Sequence, residues 1–206
     1  MNIHNIMYQD TLSLTAENVL GFLTGELENE FSIREIAKSI GQDYKIVFNT
    51  MIQLKKRELV HVRRVSNINR CSALLSPENA AVYGFVAERC SAKKLAMQLY
   101  SALREIPAAT ANPFYSMLVF GSYAKGTARK GSDIDVMFVT ACKDQETEIE
   151  AAVNRTETLN AIKVHPVVLT AKEFKKGIVD ESVAREAIRK HLIIAGGEQF
   201  FALIAK

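Results

Sequence analysis

Tryptophan is absent from the 206 residues, prolines number four, and three cysteines and four histidines are the whole supply of thiol and imidazole ligands. The cysteines, Cys71, Cys90 and Cys142, are odd in number, far apart and never in a C-x-x-C pair. They exclude a disulfide framework and a zinc site, and read as reduced thiols of a cytoplasmic protein. The histidines form no Ser-His-Asp, Cys-His or His-Glu-x-x-His grouping, and His61 and His191 stand isolated. No apolar stretch reaches the roughly 18 residues of a membrane helix, so no membrane partner is expected. The first ten residues, MNIHNIMYQD, lack a positive region ahead of an apolar run, and no signal peptide is expected there. With 48% hydrophobic residues and a net charge of +3, the composition also excludes a disordered chain.

What is present is unevenly placed. Residues 1–30 hold five acids (Asp10, Glu17, Glu26, Glu28 and Glu30) and no Lys or Arg. Residues 31–75 hold nine bases against three acids, and the remainder is nearly neutral. A basic block behind an acidic leader points to a local polyanion-binding module. The length allows one large domain or two small ones. The pattern below divides it into residues 1–76, a linker helix at 77–106, and residues 107–206.

Residues 13–29 carry a helical apolar face of Leu14, Val19, Leu20, Phe22 and Leu23, with acids opposite it. The acidic leader is therefore expected as the solvated side of a first helix. In FSIREIAKSIG, Ser32 and Glu35 have capping-box spacing, Ile33, Ile36, Ala37 and Ile40 form a buried stripe, and Gly41 is placed to end the helix. Asp43 is the N-cap expected for a third helix through YKIVFNTMIQLKKREL. LVHVRRV and RCSALLS, separated by Ser-Asn-Ile-Asn, read as a β-hairpin.

This order of helices and hairpin resembles a winged helix-turn-helix over about 65 residues. The resemblance implies that the third helix enters the major groove of double-stranded DNA, with Gln42, Tyr44, Lys45, Asn49 and Gln53 facing the bases. Lys55, Lys56, Arg63, Arg64 and Arg70 are the candidate phosphate contacts. Protein docking or dimerisation is the alternative use of such a module. Ser76-Pro77 then opens a helical pattern that runs to about Ile106, interrupted only by Gly84. Its apolar stripe could join the two modules or pair with a second copy in a homodimer. PAATANP, residues 107–113, reads as the breaker that ends it.

The chemistry is concentrated in YSMLVFGSYAKGTARKGSDIDVMFVT. Residues 115–120 read as a buried strand ended by Gly121-Ser122, and residues 134–139 as a second strand that opens at Asp133-Ile134-Asp135. On a strand, positions i and i+2 share a face, so the two carboxylates project together. Two such charges repel unless a cation lies between them, and hard oxygen donors point to Mg²⁺ or Mn²⁺. A Mg²⁺ ion held by few protein groups usually carries a phosphate chain. Gly121 allows close backbone approach, and Ser122 offers its hydroxyl and backbone N–H to phosphate. The glycine spacing is neither a P-loop nor a Gly-x-Gly-x-x-Gly dinucleotide loop.

Gly-Ser, ten residues, then Asp-x-Asp resembles the DNA polymerase β-like nucleotidyltransferase superfamily, in particular its small "minimal" members, over roughly residues 107–206. The resemblance implies an α/β domain with a short mixed sheet, making the chain α/β overall, with an N-terminal winged helix-turn-helix and a linker helix. It further implies a metal-dependent transfer of a nucleoside monophosphate from a nucleoside triphosphate such as ATP. Asp133 and Asp135 would hold the metals and be catalytic, while Gly121, Ser122, Lys125 and Lys130, with Arg129 beside them, would bind the triphosphate. The family usually places a third carboxylate on a following strand. Here that strand, AIKVHPVVLT, has none, and His165 is the candidate to fill the place. Two readings follow: an enzyme that also binds DNA, or a nucleotide-sensing transcriptional regulator or antitoxin-like protein with an inactive transferase-like domain and a protein partner. The last segment reads as a helix at 181–190, a short strand, Gly196-Gly197 and a terminal helix, all scaffold.

Overall fold

A computed structural model describes residues 12–111, 113–180 and 182–205. The expectations for the first ten residues, for Asn112 within the breaker and for Glu181 as a helix start lie outside the described residues.

Helix α1 (Leu14–Thr24) is capped by the Ser13 side chain, which accepts from the Ala16 N–H. A two-residue strand β1 (Phe31–Ser32) leads into α2 (Ile33–Ile40). There the capping box forms as the spacing predicts: Ser32 Oγ accepts from Glu35 N–H, and the Glu35 carboxylate accepts from Ser32 N–H at 2.6 Å. Gly41 ends α2 in the left-handed region, at φ +65°, where a side chain would be strained. Asp43 caps α3 (Tyr44–Lys56) through Lys45 N–H and Ile46 N–H. Strands β2 (Val60–Val65) and β3 (Ile68–Ala73) follow, joined by Ser66-Asn67 alone, and β3 pairs with both β1 and β2. The connection is thus two residues rather than four, because Ile68 and Asn69 already pair with Val65 and Arg64. Three helices and this antiparallel sheet form the winged helix-turn-helix.

Beyond a 3₁₀ turn at Pro77–Asn79, α4 (Ala80–Lys94) and α5 (Met97–Ala109) replace the single linker helix expected from the sequence. Leu95 and Ala96 take extended backbone angles between them. The Leu95 side chain is buried in the core there, and packing has overridden the helical pattern. Pro107 lies inside α5, so the breaker acts two residues later than its first proline suggests.

The remaining chain builds a four-stranded mixed sheet of order β6-β5-β4-β7. Its strands are β4 (Ser116–Val119), β5 (Ile134–Thr140), β6 (Val164–Thr170) and β7 (Leu192–Ala195). β4 is antiparallel to β5 and β7, whereas β5 and β6 are parallel. A parallel pair needs a crossover, supplied by α7 (Glu146–Asn160). The short α6 (Gly121–Lys125) follows β4 directly. After β6 come α8 (Ala171–Val179) and α9 (Val183–Arg189), and α10 (Gly197–Ile204) follows β7.

Both faces of this sheet are covered. Met137 and Val139 of β5, Leu118 of β4 and Ile193 of β7 belong to one apolar cluster. Their neighbours Ile134, Val136, Phe138, Met117, Val119, Leu192 and Ile194 belong to the other, with Leu103, Ile106, Ile149 and Val153. The first cluster continues without a break into Leu20, Ile36, Val47 and Leu54 of the winged helix. Helix α4 makes the join. At Gly84 a β-carbon would collide with the backbone of Gly197 and Glu198, so α4 and α10 cross at backbone contact. Gly84 interrupts the helical pattern because only glycine fits that crossing.

Two expectations about the leader are corrected. Leu14 does not join the apolar face and stands 63% exposed, while Glu17 is buried and paired with Arg89 at 3.4 Å. Glu26, Glu28 and Glu30 lie past the end of α1 and are ion-paired rather than simply solvated. Glu26 meets Lys190, Glu28 accepts from Arg185 at 3.0 Å and Arg189 at 2.8 Å, and Glu30 takes Arg63. Burial alone would raise the Glu28 carboxyl, but the two arginines outweigh it and hold it below the ordinary value.

Candidate functional site

The site forms where β4 runs out beside the start of β5. Phe120 N–H donates to the backbone carbonyl of Asp135 at 3.0 Å, which fixes the end of β4 against β5. The chain then turns at Gly121, at φ +63°, and a β-carbon there would run into Asp135 Oδ2. The Asp135 carboxylate therefore lies directly against the Gly121 backbone, a contact only glycine permits. Ser122 sits one residue into α6 and stays partly accessible. Helix α6 is stopped by Gly126 at φ +71°, and the Ser122 carbonyl accepts from Thr127 N–H at 2.9 Å.

The loop that brings the chain back to the carboxylates is tied at both ends. Ser132 Oγ accepts from Arg129 N–H at 2.9 Å, Ser132 N–H donates to the Arg129 carbonyl, and the Tyr123 hydroxyl donates to the Ser132 carbonyl at 3.4 Å. Asp133 is exposed, just ahead of β5, and Asp135 is half-buried within it. Being two residues apart, they project on the sheet face shared with Met137 and Val139. Parallel pairing sets Asp135 opposite His165 of β6, and His165 Nδ1 lies 3.3 Å from Asp135 Oδ1. The place opposite Asp135 is therefore taken by an imidazole, largely exposed.

Gly121, Asp135 and His165 are in contact, Ser122 and Asp133 adjoin them in sequence, and the loop cations do not all converge. Lys125 Nζ pairs with Glu186 Oε1 of α9 at 2.7 Å. Lys130 and Arg129 stand exposed on the loop. Glu186 and Tyr123 were not singled out by sequence reasoning. Glu186 lies 61 residues from Lys125, and nothing local signals the pair. Glu173 serves elsewhere: it caps α8 with Thr170, pairs with Lys143 and is held down at about 2, first by the Thr170 N–H. That places it at the far end of the β5–β6 pair, where Thr140 meets Thr170.

Among the described residues no group of three His, Cys, Asp or Glu side chains could enclose a metal ion. The donor set of Asp133 and Asp135 still fits Mg²⁺, an ion commonly held by one or two carboxylates and completed by substrate phosphates. Closed structural sites have a different construction.

In the winged helix, Gln42 just ahead of α3 and Tyr44, Lys45, Asn49 and Gln53 on it are all exposed; Lys45, Asn49 and Gln53, four residues apart, share one side, and Lys55 and Lys56 stand at its last turn. Tyr44 stacks on Phe48, ring centroids 6.0 Å apart. The hairpin arginines are already engaged within the module. Arg63 makes a two-pronged pair with Glu30 (2.7 and 2.6 Å), Arg70 reaches Glu35 at 3.1 Å, and Arg64 Nε donates to the Ser66 carbonyl. The bond from Arg63 holds the Glu30 carboxyl below its ordinary value.

The family model described as "Nucleotidyltransferase domain" matches residues 108–194. No curated protein matches the chain. Among solved structures it is similar to the MarR family transcriptional regulator SPO1453 from Silicibacter pomeroyi DSS-3, at 19% identity and a TM-score of 0.37, over 48% of this chain and 68% of that one. It is also similar to a toxin-antitoxin structure with AMP-PNP, at 14% identity and a TM-score of 0.36, over 50% of this chain and 81% of that one. A toxin-antitoxin MntA-HpeT mutant shares 14% identity with a TM-score of 0.38 over the same shares, 50% and 81%. The family match falls on the segment that carries Gly121, Ser122, Asp133, Asp135 and His165.

Proposed function

We propose that the chain is a metal-dependent nucleotidyltransferase whose winged helix binds double-stranded DNA. The observation that carries the first half is the Asp135 carboxylate packed against the Gly121 backbone, with Asp133 exposed beside it. That arrangement sets two anionic donors next to a glycine-serine turn within the segment matched by the family model. Asp133 and Asp135 would hold Mg²⁺ or Mn²⁺, which supplies charge neutralisation for the phosphates and stabilises the attacking and leaving oxygens of an in-line displacement.

The protein's own groups then have defined tasks. Gly121 leaves room for the nucleotide's phosphates beside Asp135, and Ser122 donates its hydroxyl and N–H to phosphate oxygens. Lys130 and Arg129, exposed on the loop, add positive charge, and Lys125 can do so by exchanging Glu186 for phosphate. The product is a nucleoside monophosphate joined to an acceptor, with pyrophosphate leaving.

A second reading has its own observation. His165 stands opposite Asp135 where the polymerase β-like resemblance expects a third carboxylate, and imidazole is a poor Mg²⁺ ligand. On that reading the domain binds nucleotide without turnover and reports its presence to the winged helix as a transcription regulator or antitoxin-like protein.

Labelled nucleoside triphosphates with Mg²⁺ or Mn²⁺, offered to the wild type and to Asp133→Ala and Asp135→Ala, separate the two. Metal-dependent transfer lost in both variants supports the enzyme. Nucleotide binding lost in both variants, with no transfer by the wild type, supports the sensor, and no binding at all refutes both. Duplex DNA retention at two salt concentrations tests the winged helix: binding that ignores salt, or none, would sink that half.

A further inference from the structure

The winged helix and the sheet domain meet across an open-sided cavity that the nucleotide site does not use. It measures about 410 Å³, within the usual range for small-molecule pockets. Its walls are of two kinds. Phe22 of α1 and Ile40 of α2 supply an apolar side, and Lys93 and Lys94 of α4 and Lys190 after α9 supply a cationic one. No acid belongs to the lining among the described residues. Glu26, outside the lining, pairs with Lys190 and also acts on Lys94, so three ammoniums against one carboxylate leave a net charge of about +2 on that wall.

A second observation comes from below. Gly21, Cys90 and Lys94 line both this cavity and a much smaller one beneath it, about 10 Å³, walled also by Thr24, Ser91 and His191. His191 is 3% exposed, and its Nε2 is buried with no partner. Its Nδ1 lies 3.0 Å from the Ala187 carbonyl, which can only accept, so Nδ1 carries the proton and Nε2 is a bare acceptor. The hydroxyls of Thr24 and Ser91 donate to the carbonyls of Leu20 and Ala87. The deep end is thus lined by acceptors, has room for about one water to donate to them, and lies apart from the outer space between Lys93 and Phe22.

We propose that this junction binds a small phosphomonoester with an apolar body. The dianionic phosphoryl group would sit between Lys93 and Lys94, at the edge of Lys190, and an aromatic or aliphatic body would lie against Phe22 and Ile40. The net positive charge left by Lys93, Lys94 and Lys190 against Glu26 matches a charge of −2, which a carboxylate would leave half-satisfied. The apolar wall separates such a ligand from inorganic phosphate, which would leave Phe22 and Ile40 wet.

Calorimetric titration of the full chain with phenyl phosphate, inorganic phosphate and benzyl alcohol tests this. Phenyl phosphate should bind at least about tenfold more tightly than either fragment-like control. Lys94→Ala and, separately, Lys93→Ala should each weaken it by about tenfold, the worth of a charge-assisted hydrogen bond. Asp135→Asn and saturating ATP should leave it unchanged, because the nucleotide site lies elsewhere. Equal affinity for phenyl phosphate and inorganic phosphate would overturn the proposal, as would an unchanged affinity in both lysine variants. Competition by ATP or loss in Asp135→Asn would place the phosphate in the nucleotide site and overturn it equally. The melting temperature of each unliganded variant shows that a loss of binding is not a loss of fold.

Discussion

Lowering the pH from 7.5 to 5.0 should unfold this protein more readily through one residue. His191 is wholly enclosed beside Phe200, ring centroids 5.0 Å apart, and burial pushes its pKa down from 6.5 to about 4. The folded state therefore keeps the imidazole neutral while the unfolded chain binds a proton as soon as pH falls below 6.5. The unfolded state holds more protons in that window, so stability is full above pH 6.5 and declines as pH falls toward 4. At 1.36 kcal/mol per pKa unit, the difference between pH 7.5 and 5.0 comes to about 2 kcal/mol. Urea unfolding at both pH values reads this directly. His191→Gln, which cannot titrate, should lose the His191 share of the pH effect, whatever its own stability. Comparing the two proteins cancels groups common to both, including Glu88, whose carboxyl is raised by burial. An equal pH effect in wild type and His191→Gln would refute the reasoning.

Other substitutions report on the remaining parts of the argument. Gly121→Ala should cut nucleotide transfer by about a hundredfold or more, since its methyl displaces the Asp135 carboxylate, with circular dichroism unchanged. His165→Asp should raise transfer in the presence of Mn²⁺ if the imidazole limits turnover, and a drop in the same assay would count against that. Glu30→Gln releases Arg63 and should tighten duplex DNA binding, measured by fluorescence anisotropy, and steepen its salt dependence. Gly84→Ala should cost about 3 kcal/mol in urea unfolding, because its methyl meets the backbone of α10 rather than a side chain that can move aside.

Local signals were readable and distant pairings were not. The Ser32–Glu35 capping box, the left-handed Gly41 and the Asp43 cap all depend on residues two to five apart, and they form where the spacing puts them. The strand end before Gly121-Ser122 and the strand start at Asp133-Ile134-Asp135 were legible for a related reason, since a strand end and a tight turn are short-range geometry. The ion pairs of Glu26 and Glu28 were not legible because their partners lie 157–164 residues away. The break between α4 and α5 carries no glycine or proline. Burial of Leu95 in the second core sets it, and no periodicity announces that. Likewise, Lys125 looks like a free phosphate ligand in the sequence, and only the tertiary fold brings Glu186 to it.

The crossing of α4 and α10 has a kinetic side. Gly197 N–H donates to the Glu88 carboxylate at 2.8 Å across 109 residues of chain, and Tyr83 packs its ring on Phe201. α4 cannot cover its apolar face until α10 arrives, and the winged helix shares that face. Closing a loop of that length is slow compared with the hairpin and the helix caps. Refolding from urea should therefore form the wing and its three helices early and complete the core late. In the interval, the uncovered α4 would be the surface on which the unfinished chain aggregates.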